Sequence, residues 1–279
     1  MIRTTVPAQR APREPRPLAE LPAALAAGFH TVLTDIDDTL TTEGRLTAPA
    51  YAALDALHRA GLRVIPVTGR PAGWCDHIAR MWPVDGVIGE NGAFYMWHDA
   101  AAARLRVRHL FDAAQRQAFA ERLAAVRERV LREVPGCALA SDQFCRLYDL
   151  AIDFCEDVPA LPDADVDRIV ALMQAAGMTA KLSSIHINGW FGSWNKLDTA
   201  RLMLAERHGI DLDAERERIV FAGDSPNDEP MFDFFPHAVG VANVLDQRHR
   251  LHALPTWITP LRAGAGFVEL ADALLAARG

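Results

Sequence analysis

Short apolar runs alternate with helical patterns along the chain from residue 28 onward. Segments with apolar residues at helical spacing lie between the runs, for example at 48–60, where a glycine at position 61 ends the helix. The apolar runs have strand length and are FHTVLTDID, RVIPVT, VDGVIG, RIVFAG, AVGVAN and TWIT. Strands that alternate with helices are typical of a mostly parallel sheet covered on both faces. The pattern predicts a doubly wound, Rossmann-like α/β core.

The middle of the chain has a different pattern. Residues 94–110 predict two strands around an Ala-rich turn, and 145–155 alternates like a further strand. Helices are expected at about 112–134 and 163–176, and one or two strands follow the second helix. Such a self-contained mixture of helices and strands predicts an inserted α+β cap domain at residues 95–187.

The insert divides the rest of the chain into a core and a tail. The predicted core comprises residues 28–94 and 188–279. Residues 1–27 are rich in Pro and Arg and have no apolar segment like that of a secretory signal, so a flexible tail is expected. Ligands of open α/β sheets bind in a crevice at the strand ends. An insert at this place is therefore expected to cover that crevice.

Composition and charge narrow the class of partner. The net charge is −7 and the pI near 5.8, which argues against a broad nucleic-acid or membrane-binding surface. No apolar run reaches the roughly 18 residues of a membrane span. The four cysteines form no C-x-x-C pair, so buried thiols in a reducing cytoplasm are expected. These features predict a cytoplasmic monomer or small homo-oligomer whose partner is a small molecule.

Two aspartates end the first predicted strand. Asp35 and Asp37 in DIDDT are two positions apart, and strand geometry places them on the same side of the chain. Crowded carboxylates are unfavourable unless a proton or a cation lies between them. Mg²⁺, which prefers oxygen ligands, would meet that requirement. A solvated acidic turn is the alternative interpretation of such a pair taken alone.

Three further polar groups follow in chain order. Thr68-Gly69-Arg70 comes after the second strand, Lys196 precedes a helix, and GDSPND (223–228) follows RIVFAG. Each has an ordinary interpretation by itself, as a helix cap, a solvated lysine or a polar turn. The carboxyl ends of the strands in such a sheet lie along one crevice. The acids of DIDDT, the hydroxyl of Thr68, Lys196 and the acids of GDSPND follow one another along the chain, and together they indicate one active site.

This set of motifs resembles the haloacid dehalogenase superfamily. DIDDT is similar to its D-x-D-x-T motif, the Thr of VTGR to its second motif, Lys196 to its third and GDSPND to its G-D-x-x-x-D motif. The resemblance covers about residues 28–275. An insert between the second and third motifs is typical of the subgroup with a large α/β cap, which contains sugar phosphatases and phosphomannomutases. ENGA (90–93) and GFVELADALL are similar to that subgroup too, whereas Asp38 stands where many members carry Gly.

The resemblance implies roles for the motif residues. Asp35 would be the nucleophile that forms an aspartyl-phosphate, and Asp37 the general acid and base. Thr68 and Lys196 would bind the phosphoryl oxygens, where negative charge is spread in the transition state. The implied magnesium ligands are Asp35, the main-chain carbonyl of Asp37, Asp224 and Asp228. Candidate substrate contacts in the core and cap are Gly69, Arg70, Asn91, Asn227, Arg146, His186 and Trp190. For Arg70 a structural salt bridge is the alternative interpretation.

The motifs together predict a magnesium-dependent phosphate-monoester hydrolase that acts on a small phosphorylated metabolite, with a sugar phosphate as the expected substrate. One alternative is a phosphomutase, which would use the same aspartyl-phosphate but return the phosphoryl group to the sugar. Another is a catalytically silent binding protein on this fold. The intact acids, Thr68 and Lys196 argue against the silent protein.

Overall fold

A computed structural model describes residues 14–279 of the 279-residue chain. The helices are α1 (Ala23–Gly28), α2 (Ala48–Arg59), α3 (Ala72–Met81), α4 (Ala113–Glu133), α5 (Asp163–Ala175), α6 (Lys196–His208), α7 (Leu212–Glu215), α8 (Glu229–Phe234) and α9 (Ala263–Ala276). The strands are β1 (Arg16–Pro17), β2 (Thr31–Thr34), β3 (Thr41–Thr42), β4 (Arg45–Leu46), β5 (Arg63–Pro66), β6 (Val87–Gly89), β7 (Phe94–Asp99), β8 (Arg104–His109), β9 (Ala138–Leu139), β10 (Asp149–Asp153), β11 (Thr179–Leu182), β12 (His186–Trp190), β13 (Ile219–Gly223), β14 (Val239–Gly240) and β15 (Trp257–Ile258).

The core sheet consists of six parallel strands in the order β1–β15–β14–β13–β2–β5. Strand β2 lies in the interior of this sheet, between β13 and β5. Its last residue, Thr34, is in register with Ala222 of β13 and Pro66 of β5. The carboxyl ends of these three strands therefore lie side by side, and the segments that follow them meet at one edge.

Helices cover both faces of the core sheet. Val32 of β2 is buried in one cluster with Leu54 of α2 and Phe267 of α9. The next residue, Leu33, belongs to a second cluster with Met203 of α6. Successive residues of a strand face opposite sides, and a strand buried on both faces is a continuous apolar run. The predicted doubly wound α/β core is confirmed.

The cap is built on a four-stranded antiparallel sheet in the order β11–β12–β10–β9. Helices α4 and α5 cover one face, where Val130 and Ile169 are buried against Leu150 and Ile152 of β10. Helix α4 is capped by Asp112, whose side chain accepts the N–H of Gln115 at 2.8 Å in a capping box. The other face of the cap sheet is left for the core.

The hairpin of β7 and β8 differs from the predicted cap boundaries. β7 pairs with β6, and an isolated bridge joins Ile88 of β6 to Val67 after β5. Tyr95 of β7 is buried in the same cluster as Met203 of α6. The hairpin is thus attached to the core, and β12 runs across the other predicted boundary, between residues 187 and 188. The periodicity indicates strands here, but it does not show which sheet they join.

Part of the predicted flexible tail is an ordered element of the core. Residues 1–13 lie outside the described residues, but β1 pairs in parallel with β15 and extends the core sheet. Leu18 and Ala26 are buried in the core, and the Arg16 guanidinium lies 3.9 Å from the centre of the Trp257 ring. A short apolar stretch at residues 18–29 lies among the prolines of this segment. The overall composition is dominated by Pro and Arg, so it predicts a tail.

Two expectations from the composition can be compared with the described residues. Within residues 14–279, no helix is long and apolar enough to cross a membrane. All four cysteines are free thiols, but only Cys75 is buried as predicted, whereas Cys137, Cys145 and Cys155 are half-buried. Burial, followed by the charge of Glu90, raises the pKa of the Cys75 thiol well above its usual value. Cys75 is therefore an unreactive core residue.

Candidate active site

The first two predicted acidic segments meet because their strands are neighbours. Asp35 follows β2, and its N–H donates to the carbonyl of Ala222 in β13 at 2.8 Å. Asp224 follows β13 directly. Both carboxylates are almost completely buried, at 3% and 2% exposed. Strand register alone thus brings together two acids that are nearly 190 positions apart in the chain.

A third acid completes a buried cluster. One carboxylate oxygen each of Asp35, Asp224 and Asp228 lies within 4.8 Å of the others. Burial, followed by the charge of Asp228, raises the pKa of Asp35 to about 8. Burial and the charge of Asp35 raise the pKa of Asp224 well above its usual value. This arrangement is unfavourable for three charged carboxylates unless cations offset them.

Lys196 supplies one such cation. It is the first residue of α6, and its ammonium group lies 3.0 Å from Asp35 Oδ1 and 2.7 Å from Asp228 Oδ1. Burial alone would lower the pKa of Lys196, but Asp228 and Asp35 more than offset that effect and raise it. The lysine is therefore charged and fixed between the two carboxylates.

The loop after β13 is shaped around Asp228. Asp228 Oδ2 accepts the N–H groups of Asp224 at 3.0 Å and Ser225 at 3.2 Å. At Gly223 a Cβ atom would lie only 2.5 Å from the same oxygen, so no larger residue fits there. Asp228 thus has one oxygen for the loop and one for Lys196. Asp224 is held from another side, because Asn243 donates to its Oδ2 at 2.9 Å.

Asp37 lies outside this cluster and is paired with Arg70. The Arg70 Nε donates to both Asp37 oxygens, at 2.9 and 3.1 Å, and Nη2 lies 2.8 Å from Oδ1. The same guanidinium reaches Asp142 at 3.3 Å and Glu156 at 2.8 Å, both in the cap. Arg70, a predicted substrate contact, therefore joins Asp37 to the cap.

The predicted phosphate contacts Thr68, Gly69, Asn91 and Asn227 lie close to one another. Thr68 is buried after β5, and its Oγ1 accepts the N–H of Arg70 at 3.0 Å. Asn91 has a positive φ of 55°, and its Oδ1 accepts a hydrogen bond from Asn227 at 3.2 Å. Among the described residues the buried Asn91 Nδ2 has no hydrogen-bond partner. A Cβ at Gly69 would lie 3.3 Å from that nitrogen, so the glycine leaves room beside it.

Comparison with known proteins agrees with this arrangement. Residues 32–127 match the family model of haloacid dehalogenase-like hydrolases. No curated protein matches the chain in sequence.

Solved structures share the fold of core and cap together. One is a protein of Thermoplasma acidophilum, with 17% identity, a TM-score of 0.66 and coverage of 88% of this chain and 98% of that chain. Another is the sucrose-phosphatase of Synechocystis sp. PCC6803 in complex with sucrose and phosphate, with 14% identity, a TM-score of 0.58 and coverage of 88% and 97%. A third is a sugar phosphatase of haloacid dehalogenase subclass IIB, with 15% identity, a TM-score of 0.57 and coverage of 83% and 94%.

Arg146, a predicted substrate contact, is a tether between cap and core and not an available substrate ligand. Its side chain is 0% exposed and forms ion pairs with Asp142 at 3.0 Å and Asp149 at 3.1 Å. It also donates to the carbonyl of Gly69 at 2.9 Å. These contacts use its guanidinium within the protein. The sequence shows that Arg146 is a cation, but it does not show the acids that surround it.

His186 and Trp190, the other cap candidates, lie on β12. The imidazole Nε2 of His186 lies 2.8 Å from Glu156, the acid that also contacts Arg70. The Trp190 ring is stacked on that of Trp194, with centroids 5.6 Å apart. Trp190 Nε1 is buried and has no partner within residues 14–279. His186 is therefore placed behind the Arg70 ion pairs, whereas Trp190 has a donor to offer.

A cavity of about 260 Å³ adjoins Lys196. Its lining combines two indole rings with amide, hydroxyl and ammonium groups: Asn91, Thr179, Lys181, Trp190, Ser193, Trp194, Asn195, Lys196, Asn227 and Pro230. Core and cap both contribute, since β11 and β12 supply one wall. This volume is a little below the range of about 300–1,000 Å³ that drug-sized ligands occupy, which suits a group the size of a monosaccharide.

Glu90 is a site residue that sequence reasoning did not single out beyond its place in ENGA. It is completely buried, and Oε1 accepts the N–H of Leu147 at 2.9 Å while Oε2 accepts that of Tyr148 at 2.6 Å. Oε1 also accepts the N–H of Ala72 at 3.1 Å, at the start of α3. One carboxylate thus binds main-chain groups of the core and the cap. The available signal in the sequence was the position of ENGA, an acid and an asparagine directly after the apolar run VDGVIG.

Proposed function

We propose that this protein is a magnesium-dependent phosphatase that hydrolyses a sugar phosphate through an aspartyl-phosphate on Asp35. The observation that carries the proposal is the buried contact of Lys196 with two carboxylates, 3.0 Å from Asp35 and 2.7 Å from Asp228. An anionic nucleophile repels an anionic phosphate ester. A fixed cation at this distance offsets that repulsion in a site from which water is excluded.

Asp35 and Asp37 divide the reaction into two displacements. Asp35 attacks phosphorus with a carboxylate oxygen, and the bond to the leaving oxygen breaks as Asp37 gives that oxygen a proton. Asp37 then takes a proton from water, whose oxygen attacks phosphorus and releases inorganic phosphate and the Asp35 carboxylate. Arg70 contacts both oxygens of Asp37 and so fixes its orientation through both steps.

Three neutral or cationic donors surround the place where the phosphoryl group would lie. Lys196 contacts the nucleophile directly. Thr68 is buried at the end of the adjacent strand, and its hydroxyl has a hydrogen to donate. The Asn91 amide nitrogen is buried without a partner among the described residues, which is costly unless a ligand accepts from it. A phosphoryl oxygen supplies that acceptor.

The donor set at the strand ends fits a hard divalent cation. Asp35, Asp224 and Asp228 present three oxygens within 4.8 Å of one another, and oxygen ligands are those that Mg²⁺ prefers. When bound, the ion would neutralise charge on the phosphoryl oxygens. Thr39 donates to Asp224 Oδ1 at 3.1 Å and so holds one of the three acids in position.

A sugar leaving group is supported by the cavity beside Lys196. The stacked rings of Trp190 and Trp194 lie among amide and hydroxyl side chains there. Such a mixture suits a molecule with apolar faces and many hydroxyl groups. The sucrose-phosphatase and the subclass IIB sugar phosphatase share the fold and act on sugar phosphates by their names, which favours the same class here.

A reduction experiment tests the mechanism. Protein that is turning over a phosphate ester with Mg²⁺ is quenched in acid and treated with borohydride, which converts an aspartyl-phosphate to homoserine. Peptide mass spectrometry should find homoserine at position 35 alone. Asp213→Asn is the matched control, because Asp213 is exposed and paired with Arg201, and it should give the same result. Homoserine at another aspartate, or at none while phosphate is released, would contradict the proposal.

A screen of about a hundred phosphate esters tests the substrate class. Sugar phosphates are expected among the esters with the highest kcat/KM. A best substrate without a sugar or polyol would show that the leaving group has been assigned wrongly. Failure to release phosphate from any ester, including p-nitrophenyl phosphate, would argue against a phosphatase.

A further inference from the structure

The chain contains two lysines and 27 arginines. Both lysines, Lys181 and Lys196, line the cavity beside the nucleophile, and no arginine does. At every other position where the sequence has a lysine or an arginine, the residue is an arginine. A lysine is a compact point charge with three rotatable donors, whereas arginine is a planar fork suited to bidentate partners. Every lysine of the sequence therefore lies at this cavity.

The two lysines differ in their charge balance. Lys196 is compensated by Asp35 and Asp228, both within 3.0 Å. Lys181 is half-buried on β11, and within residues 14–279 its ammonium group has no ion pair and donates no hydrogen bond. No acid lines the cavity. Lys181 thus gives the cavity a positive charge that the protein does not neutralise.

The two buried side-chain atoms of the cavity lining that have no hydrogen-bond partner among the described residues are both donors. Asn91 Nδ2 and Trp190 Nε1 are buried and have no partner among the described residues. Lys181 adds an ammonium group on the same side of the cap sheet as Trp190, since β11 and β12 pair with Lys181 opposite Asn188 and Thr179 opposite Trp190. Buried donors without acceptors are costly, and more so beside an unneutralised charge. The ligand that fits is rich in acceptors and negatively charged.

We propose that the leaving group of the substrate carries a second anionic group, a carboxylate or another phosphate, and that Lys181 binds it. This inference rests on the phosphatase function proposed above and specifies the substrate of the same site. The core motifs bind the phosphoryl group that is transferred, so Lys181 is left for the other end of the molecule. The substrate is thus an acidic sugar or polyol phosphate of about monosaccharide size.

Three matched pairs of esters test the inference by kcat/KM. They are glucose 1-phosphate with glucuronic acid 1-phosphate, glucose 6-phosphate with 6-phosphogluconate, and glycerol 3-phosphate with 3-phosphoglycerate. Glucose 1,6-bisphosphate, against glucose 1-phosphate, tests a second phosphate instead of a carboxylate. A charge-assisted hydrogen bond favours the acidic member of at least one pair by about tenfold or more. No preference for the acidic member in any pair, and none for the bisphosphate, would overturn the inference.

Variants assign the preference to the cavity lysine. Lys181→Met should reduce the acidic-to-neutral ratio of the preferred pair about tenfold, and Lys181→Arg should keep most of it. Arg132→Met removes an exposed cap cation outside the cavity and should leave the ratio as in the wild type. An equal loss on the acidic and the neutral ester of the pair in Lys181→Met would mean that the lysine supports the fold, and the inference would be wrong.

Chemical labelling separates this inference from the proposed function. In Asp35→Asn, which cannot form the aspartyl-phosphate, acetic anhydride labels Lys181, and peptide mass spectrometry measures the extent. The acidic esters should protect Lys181 at concentrations where their neutral partners do not. Protection without turnover in the wild type would reject the phosphatase but retain an anion site at Lys181. Turnover without protection by any acidic ester would retain the phosphatase and reject the anion site.

Discussion

Removal of divalent metal should make the stability of this protein fall as the pH rises. Burial, followed by the charge of Asp228, raises the pKa of Asp35 from 3.8 to about 8. Between these values the folded protein keeps a proton on Asp35 that the unfolded chain has lost. Unfolding therefore releases a proton, and the free energy of unfolding decreases with pH throughout this window. The stabilisation is present at low pH and is lost as the pH rises through the folded pKa.

The size of the effect follows from the same pKa. One proton is worth about 1.4 kcal/mol per pH unit within the window. Between about pH 5.5 and pH 8, Asp35 in the folded state changes from fully to half protonated, which corresponds to a loss of about 3 kcal/mol. Asp224 adds to this loss, because burial and Asp35 also raise its pKa. The change is large beside the roughly 5–15 kcal/mol of a typical domain.

Urea unfolding in the presence of a chelator, followed by tryptophan fluorescence, measures this difference. Added Mg²⁺ should restore stability more at pH 8 than at pH 5.5, because it has to displace protons at the lower pH. Asp35→Asn cannot titrate and should show a weaker pH dependence, whereas Asp213→Asn should retain that of the wild type. A chelated wild type that is equally stable at both pH values, or more stable at pH 8, would refute the reasoning.

Four other outcomes follow from the site geometry. Asp35→Asn should lower phosphate release by at least about a thousandfold with the fold intact, since an amide cannot act as the nucleophile; a tenth of wild-type activity would exclude Asp35. Ca²⁺ should replace Mg²⁺ without supporting turnover, because its higher coordination number can engage both Asp35 oxygens; full activity with Ca²⁺ alone would contradict this. Arg70→Met should lower kcat about tenfold to a hundredfold and alter the pH–rate profile with little change in KM, because Asp37 loses its orienting contact; an unchanged profile would limit Arg70 to a structural role. Arg146→Ala should lower the free energy of unfolding in urea by about 3–5 kcal/mol, because Asp149 is left buried without its cation; a change below about 1 kcal/mol would show that the pair is not a tether.

The chemistry at the strand ends could be predicted because it depends on local pattern and parallel register. Asp35, Thr68 and Asp224 each follow a strand whose apolar run is visible in the sequence, and parallel strands bring their ends together without further information. Lys196 opens a helix capped by Asn195, whose side chain accepts the N–H of Asp198. No long-range pairing had to be known for these residues.

The cap contacts could not be predicted, because they depend on partners that periodicity does not reveal. The charge of Arg70 and Arg146 makes both candidate substrate ligands in the sequence, with a structural salt bridge as the alternative for Arg70, yet the sequence does not show which acids of the cap surround them. The two residues of β1 are too few to show a period, and their pairing with β15 joins opposite ends of the chain. The rarity of lysine was visible in the sequence. Only the fold shows that Lys181 and Lys196 line the same cavity.

The position of Arg70 connects substrate enclosure with the acid–base step. Its guanidinium contacts Asp37 on the core and both Asp142 and Glu156 on the cap, so Asp37 is fully oriented only while the cap lies on the core. Glu90 joins the same two domains through main-chain N–H groups next to the phosphate-binding side. A leaving group held by the cap at Lys181 would favour that closed arrangement. Substrates that lack this contact should therefore lose kcat as well as affinity, because remote binding energy would no longer help to assemble the catalytic groups.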